Sequence, residues 1–356
     1  MDKRLPLLQA KLAEHNLDGI LLTSPYNRRY ISGFTGSAGY LLITQTQAIL
    51  ITDFRYTEQA AQQAPGFEII RHNGPIVQEV LHKIKELSLR KIGFEKQFVT
   101  YSLFEELNDT DSQIEWVGVQ GIIEELRMIK NIVEQELIKE ACKIADKAFE
   151  HIITFIKPGV TEKEVALELE FAMRKLGADS VSFDTIVASG YRSALPHGVA
   201  SNKMIQSGEL VTLDFGAYYK GYVSDMTRTV AVGEPSDQLK EIYHIVQKAQ
   251  LAGVSNIKAG IKGKDADALT RDIIIEAGYG EYFGHSTGHG IGLEVHEGPG
   301  LSSKSDVILR SGMVVTVEPG IYISQLGGVR IEDDVIITEN GCEIITHSPK
   351  DLIIIS

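Results

Sequence analysis

Two aspartates interrupt runs that otherwise read as buried strand: Leu210-Val211-Thr212-Leu213-Asp214-Phe215-Gly216-Ala217 and Tyr222-Val223-Ser224-Asp225-Met226-Thr227-Arg228-Thr229-Val230. Tyr218 to Gly221 lie between them, and a hairpin is the economical connection. A turn centred between Tyr219 and Lys220 sets residues whose numbers sum to 439 opposite each other, and 214 + 225 = 439. Directly opposed residues have Cβ atoms about 4.5–5.5 Å apart. Two carboxylates that close destabilise a sheet unless something positive lies between them. A shared proton is one solution and a divalent cation bound through oxygen is another. The plainer alternative has each aspartate capping a turn or pairing with Arg228.

A second cluster follows. Three of the ten histidines, His285, His289 and His296, fall in one segment framed by Gly284, Gly288, Gly290 and Gly292. Glycines permit close backbone approach, which suits a lined cleft, and neutral imidazole ligates Zn, Mn or Co. Downstream, Met313-Val314-Val315-Thr316-Val317 is an apolar strand ending in Glu318, and Gly328-Val329-Arg330-Ile331-Glu332-Asp333-Asp334 inserts charges into another. Each glutamate alone reads as a strand-end ion pair. Taken with the two aspartates and a histidine, the set can ligate two metals through shared carboxylates.

These groups need rigid elements to hold them. The chain has 356 residues, a length that suggests two domains or three, and at 43% hydrophobic and 23% charged it has the balance of a soluble globular protein. Its first third alternates β-rich runs (Gly19–Thr23, Tyr40–Thr44, Ala48–Asp53, Lys91–Glu95) with helical patterns (Pro6–His15, Tyr56–Gln63, Ile76–Leu87), which predicts a small α/β domain over residues 1–120. Helical spacing from Gly121 to Ile156 predicts one long helix opening a second domain over 121–356. That domain carries an internal repeat with an offset of 101: Lys157/Lys258, Gly159/Gly260, Lys163/Lys264 and Gly177/Gly278. A site in the cleft between two related halves is the expectation.

Composition bounds the function. A net charge of −13 argues against a nucleic-acid partner. No apolar run is long enough for a membrane span, and the charged start reads as an amphipathic helix rather than a secretory signal. Cys142 and Cys342, far apart and in no metal spacing, predict no disulfide framework and fit a cytoplasmic setting.

The order Asp214, Asp225, His289, Glu318, Glu332 resembles the five metal ligands of the "pita-bread" metallopeptidases, the family of methionine aminopeptidase, aminopeptidase P and prolidase. Pro196-His197-Gly198, Gly288-His289-Gly290-Ile291-Gly292, Val295-His296-Glu297, Glu318-Pro319-Gly320 and Arg330-Ile331-Glu332-Asp333 stand in order. Thr52-Asp53-Phe54-Arg55-Tyr56 resembles a segment of the proline-specific branch. The resemblance implies an α+β fold: a pseudo-twofold pita-bread (creatinase/aminopeptidase-like) catalytic domain preceded by a smaller α/β domain. It implies an enzyme that binds two divalent metal ions, Mn²⁺ ahead of Co²⁺ or Zn²⁺, and hydrolyses Xaa-Pro bonds in proline-containing peptides. A dipeptidase is the first expectation, an aminopeptidase P the alternative, a non-catalytic peptide-binding module the third. It further implies that Asp214 chelates one metal, Asp225 and Glu332 bridge both, and His289 with Glu318 completes the other. Glu318 is then the proton acceptor, His197 and His296 the catalytic histidines, and His285 and Arg330 the lining of the proline pocket, with Arg330 able to meet a carboxylate in a bidentate pair. A homodimer is also implied, with Arg55 either a cross-subunit contact or a surface ion pair.

Overall fold

A computed structural model describes residues 3–108 and 113–356. The chain divides into two units, Met1–Arg127 and Met128–Ser356.

In the first unit six strands form one mixed sheet. They are β1 (Gly19–Leu22), β2 (Tyr40–Thr44), β3 (Ala48–Thr52), β4 (Glu68–Arg71), β5 (Lys91–Glu95) and β6 (Glu115–Val119), ordered β4-β3-β2-β1-β5-β6. The helices are α1 (Arg4–Glu14), α2 (Pro25–Ser32), α3 (Thr57–Gln63), α4 (Ile76–Glu86), α5 (Tyr101–Asn108) and α6 (Glu124–Met128), whose last residue opens the second unit. Val77, Val80 and Ile84 of α4 pack on Leu21, Leu42, Ile49, Ile51 and Ile92, because alternation turns those strand residues to one face.

The long helix expected from Gly121 is two. After α6 a new helix, α7 (Ile132–Phe155), starts at Asn131, whose side chain accepts from the Glu134 N–H while Glu134 accepts from the Asn131 N–H. That reciprocal cap fixes a start inside the periodic run.

The second unit continues with α8 (Glu162–Lys175), β7 (Ser180–Val181), β8 (Ile186–Ser189), β9 (Glu209–Phe215), β10 (Ala217–Tyr219), β11 (Tyr222–Val223) and β12 (Met226–Val232). Then come α9 (Asp237–Asn256), α10 (Gly263–Glu276), β13 (Gly288–Gly290), β14 (Glu297–Leu301), β15 (Val314–Val317), β16 (Gly320–Ile323), β17 (Gly327–Arg330), β18 (Asp333–Ile337), β19 (Cys342–Ile344) and β20 (Ile354–Ile355). The repeat is structural. Helices α8 and α10 each span 14 residues, and 263 − 162 = 276 − 175 = 101. Gly159 and Gly260 end the preceding turns at φ 92° and 91°, a region glycine enters without a Cβ penalty. In each half two antiparallel strands meet the helix pair: β9 against β12 and β15 against β18. Phe149 and Leu169 pack on Val211, Leu213 and Val230 in the first half, and Val254 and Ala266 pack on Val315, Val317 and Val335 in the second. This is the pseudo-twofold pita-bread arrangement, with an α/β unit ahead of it.

Candidate metal centre

The β9–β12 hairpin differs from its predicted register. Its turn lies at Lys220 and Gly221, both at positive φ (47° and 92°), so Tyr219 faces Tyr222 and Asp214 faces Thr227, not Asp225. A two-residue loop with both central residues left-handed matches the twist of the strands. The shift is two residues, which preserves the face. Asp214 and Asp225 are diagonal neighbours on one side of the hairpin rather than directly opposed.

Local breaks release both carboxylates from the ladder. A Cβ on Gly216 would lie 1.8 Å from the Ser224 carbonyl oxygen, so only glycine allows that approach. Beyond it the Asp225 N–H leaves the strand pairing and donates to Asp334 Oδ2 at 2.8 Å. In the other half Val317 faces Asp333, and one further step along that register sets Glu318 opposite Glu332. Glu318 is held by its N–H to the Thr287 carbonyl at 2.8 Å, and its Oε1 accepts from the Thr316 hydroxyl at 3.2 Å. Glu332 Oε2 accepts from the Thr227 hydroxyl at 2.6 Å.

The five groups converge from both halves. Ligating atoms of Asp225, His289 and Glu332 lie within 4.8 Å of one another. His289 Nε2 is 3.3 Å from Glu318 Oε1 and 3.7 Å from Asp225 Oδ2. Asp214 Oδ2 accepts from Arg330 Nη2 at 2.5 Å, while its Oδ1 is buried with no hydrogen-bond partner among the described residues.

The electrostatics of this cluster are unfavourable as they stand. Burial, reinforced by Glu332 and Asp214, holds the Asp225 carboxyl well above its ordinary range. Burial, then the Glu318 charge, does the same to Glu332. Burial pushes Glu318 up to about 8. Burial also lowers His289 to about 4, helped by His296, so its imidazole is neutral and ready to donate a lone pair. Burial alone would lower Arg330, but Tyr322, Asp214 and the two glutamates outweigh it and keep the guanidinium charged. One guanidinium among Asp214, Asp225, Glu318 and Glu332 leaves excess negative charge out of water. A divalent cation fits that donor set: hard carboxylate oxygens, one neutral imidazole and a buried oxygen without a partner.

The remaining predicted residues surround the cluster. His285 Nδ1 lies 2.8 Å from the Ser286 carbonyl, which leaves Nε2 to accept the Tyr322 hydroxyl at 2.8 Å. Burial lowers His285 to about 4 as well, with Arg330 adding to it. His197 and His296 are exposed at the rim, and His296 is lowered by burial and by His197. The rings of His289 and His296 are 4.3 Å apart. Arg330 pairs with Asp214 inside the cluster. Four of its five N–H vectors are committed, to Thr227 Oγ1, the Pro196 carbonyl, Tyr322 Oη and Asp214 Oδ2. Residues that sequence reasoning passed over complete the centre. Thr227 bridges Arg330 and Glu332, Tyr322 links Arg330 to His285, and Asp334 holds the Asp225 backbone and accepts from Cys142 Sγ at 3.3 Å. Asp333, by contrast, is structural: Arg228 and Lys350 outweigh its burial and hold it low.

Comparison with known proteins extends this description. A family model for Metallopeptidase family M24 matches residues 136–339, and one for the Creatinase/Prolidase N-terminal domain matches residues 4–129. The chain is 43% identical to a Xaa-Pro dipeptidase of Pyrococcus horikoshii, over 99% of each chain. Among solved structures, a Xaa-Pro dipeptidase from Bacillus anthracis aligns at TM-score 0.97 with 60% identity over 99% of both chains. An X-Pro aminopeptidase from Thermotoga maritima aligns at TM-score 0.91 with 43% identity, again over 99% of both.

Proposed function

We propose, for a chain that belongs to metallopeptidase family M24 and carries a creatinase/prolidase N-terminal domain, that it is an Xaa-Pro dipeptidase working with two divalent ions. The observation that carries this is the convergence of Asp225, His289 and Glu332 within 4.8 Å, with Glu318 and Asp214 beside them. Asp214, Asp225, His289, Glu318 and Glu332 would hold the ions, Asp225 and Glu332 being shared. Carboxylate-rich ligation suits Mn²⁺, with Co²⁺ and Zn²⁺ as alternatives. Bound there, divalent ions supply Lewis-acid chemistry, lowering the pKa of water toward neutrality and polarising a carbonyl.

The chain's own residues do the rest. Glu318 accepts a proton at its carboxylate, and its Oε1 is already oriented by the Thr316 hydroxyl at 3.2 Å. His197 and His296 share two tasks, an N–H to the developing oxyanion and a proton to the leaving proline nitrogen, which carries no hydrogen of its own. His285 lines the proline pocket through its hydrogen bond to Tyr322. Arg330 aims Asp214 through Nη2, with a single N–H to spare for substrate. The free thiols Cys142 and Cys342 support a cytoplasmic setting, and no helix among the described residues is long and apolar enough to cross a membrane. A homodimer is part of the proposal, on the family resemblance alone.

One observation favours the aminopeptidase P reading: the Thermotoga maritima X-Pro aminopeptidase shares the whole architecture. Turnover of Ala-Pro against Ala-Pro-Ala-Ala, with and without added Mn²⁺, separates them. A dipeptidase hydrolyses only the first, and equal hydrolysis of both overturns that assignment.

A further inference from the structure

The two halves secure their active-site loops differently. In the second half the segment after His289 returns as a strand, with Gly288 facing Leu301 and Gly290 facing Glu297. In the first half the segment that follows Ser189 and carries His197 joins no ladder and pairs with β8 at the isolated bridge of Ile186 with Val199. Within the loop the Ser193 hydroxyl accepts from the Gly328 N–H at 2.8 Å and the Pro196 carbonyl from Arg330 at 3.2 Å, but at its two ends the anchor is one carboxylate. Glu162, the first residue of α8, is fully buried (0% exposed). Its Oε1 accepts from the Ser189 N–H at 2.8 Å and hydroxyl at 2.9 Å, and its Oε2 from the Ser201 N–H at 3.0 Å, the Ser201 hydroxyl at 2.6 Å and Arg192 Nε at 2.9 Å. Arg192 in turn donates to the Val199 carbonyl at 2.7 Å. Both ends of the loop and one point within it therefore hang on Glu162, and His197 sits between them.

The other half builds the same helix start without a carboxylate. The N–H groups of Glu162 and Lys163 donate to the carbonyls of Lys203 and Ser201, as those of Gly263 and Lys264 do to Val307 and Ser305. Position 263 is thus the counterpart of 162, and it is a glycine whose Cβ would meet the Gly300 carbonyl oxygen at 2.4 Å. The half with a strand has no room for a carboxylate there, and the half without a strand has one. Burying a carboxylate is expensive unless it is saturated with donors, as this one is.

We infer that Glu162 is a positioning residue for His197, fixing the loop that a strand ladder fixes in the other half. This rests on the role given to His197 above. A misplacement of about 1 Å costs on the order of a hundredfold in rate. Glu162→Gln, which keeps the shape but removes the charge that draws in five donors, should lower kcat for Ala-Pro by about tenfold or more, with KM and bound metal unchanged. In a His197→Ala background the same substitution should cost less than about twofold, because nothing remains for it to position. Equal losses in both backgrounds, no loss in the first, or a fall in bound metal parallel to kcat would each overturn the inference. If His197→Ala itself keeps wild-type kcat, the role of His197 fails and Glu162 with it. If His197→Ala is crippled and Glu162→Gln is not, only Glu162 fails. Should Glu162→Gln not fold, Ser201→Ala removes the hydroxyl that donates to Glu162 Oε2 at 2.6 Å and is read through the same cycle.

Discussion

Stripping metal should leave a protein whose stability falls as pH rises through neutrality. Glu318 is pushed up to about 8 from 4.5 by burial, and Asp225 and Glu332 are displaced in the same direction. An acid with a raised folded pKa contributes stability that is present below its unfolded value and lost as pH climbs to the folded one. His285 and His289, lowered to about 4 from 6.5, work the other way, but only below about pH 6.5, where the unfolded imidazole takes up protons. Above that the carboxylates act alone. Between pH 6.5 and 8, Glu318 by itself removes about 1.5 × 1.36, or about 2 kcal/mol, and the other two add to it. At about 2–4 °C per kcal/mol, the melting temperature drops by at least about 4 °C. Denaturation of EDTA-treated protein at the two pH values measures this, and saturation with Mn²⁺ should abolish the difference. Metal-free protein as stable at pH 8 as at 6.5 would refute the reasoning.

Asp225→Asn should lose both peptidase activity and metal binding while circular dichroism stays native; near-wild-type turnover would contradict the dinuclear site. His197→Ala should lower kcat by about a hundredfold or more while bound metal, measured by mass spectrometry, is unchanged. Equal loss of both would move His197 into the metal shell. Arg228→Met leaves the buried Asp333 carboxylate with Lys350 as its remaining cation, and should destabilise by about 1.5–3 kcal/mol in a denaturant titration.

The strands at 40–44 and 91–95 were legible because β-branched and aliphatic runs are bounded by turn residues. Helix α2 was not: Tyr26-Asn27-Arg28-Arg29 lacks an apolar stripe, although Ser24 caps it and Gly33, at φ 77°, ends it. The single helix drawn from Gly121 ignored the Asn131–Glu134 cap. The hairpin register missed by two because Lys220-Gly221, rather than Tyr219-Lys220, supplies the left-handed pair. The error was even, so both aspartates stay on one face of the hairpin. Asp334, Thr227 and Tyr322 could not be read in advance, since each acts across strands whose register only the fold supplies. The pairing of Arg330 with Asp214, 116 positions apart, is equally tertiary.

Metal stoichiometry against activity is the direct test. As divalent ions are titrated into the stripped enzyme, hydrolysis of Ala-Pro should rise from none and level off when each chain holds two ions. Full hydrolysis by protein shown to hold none would mean that these carboxylates gather for another reason.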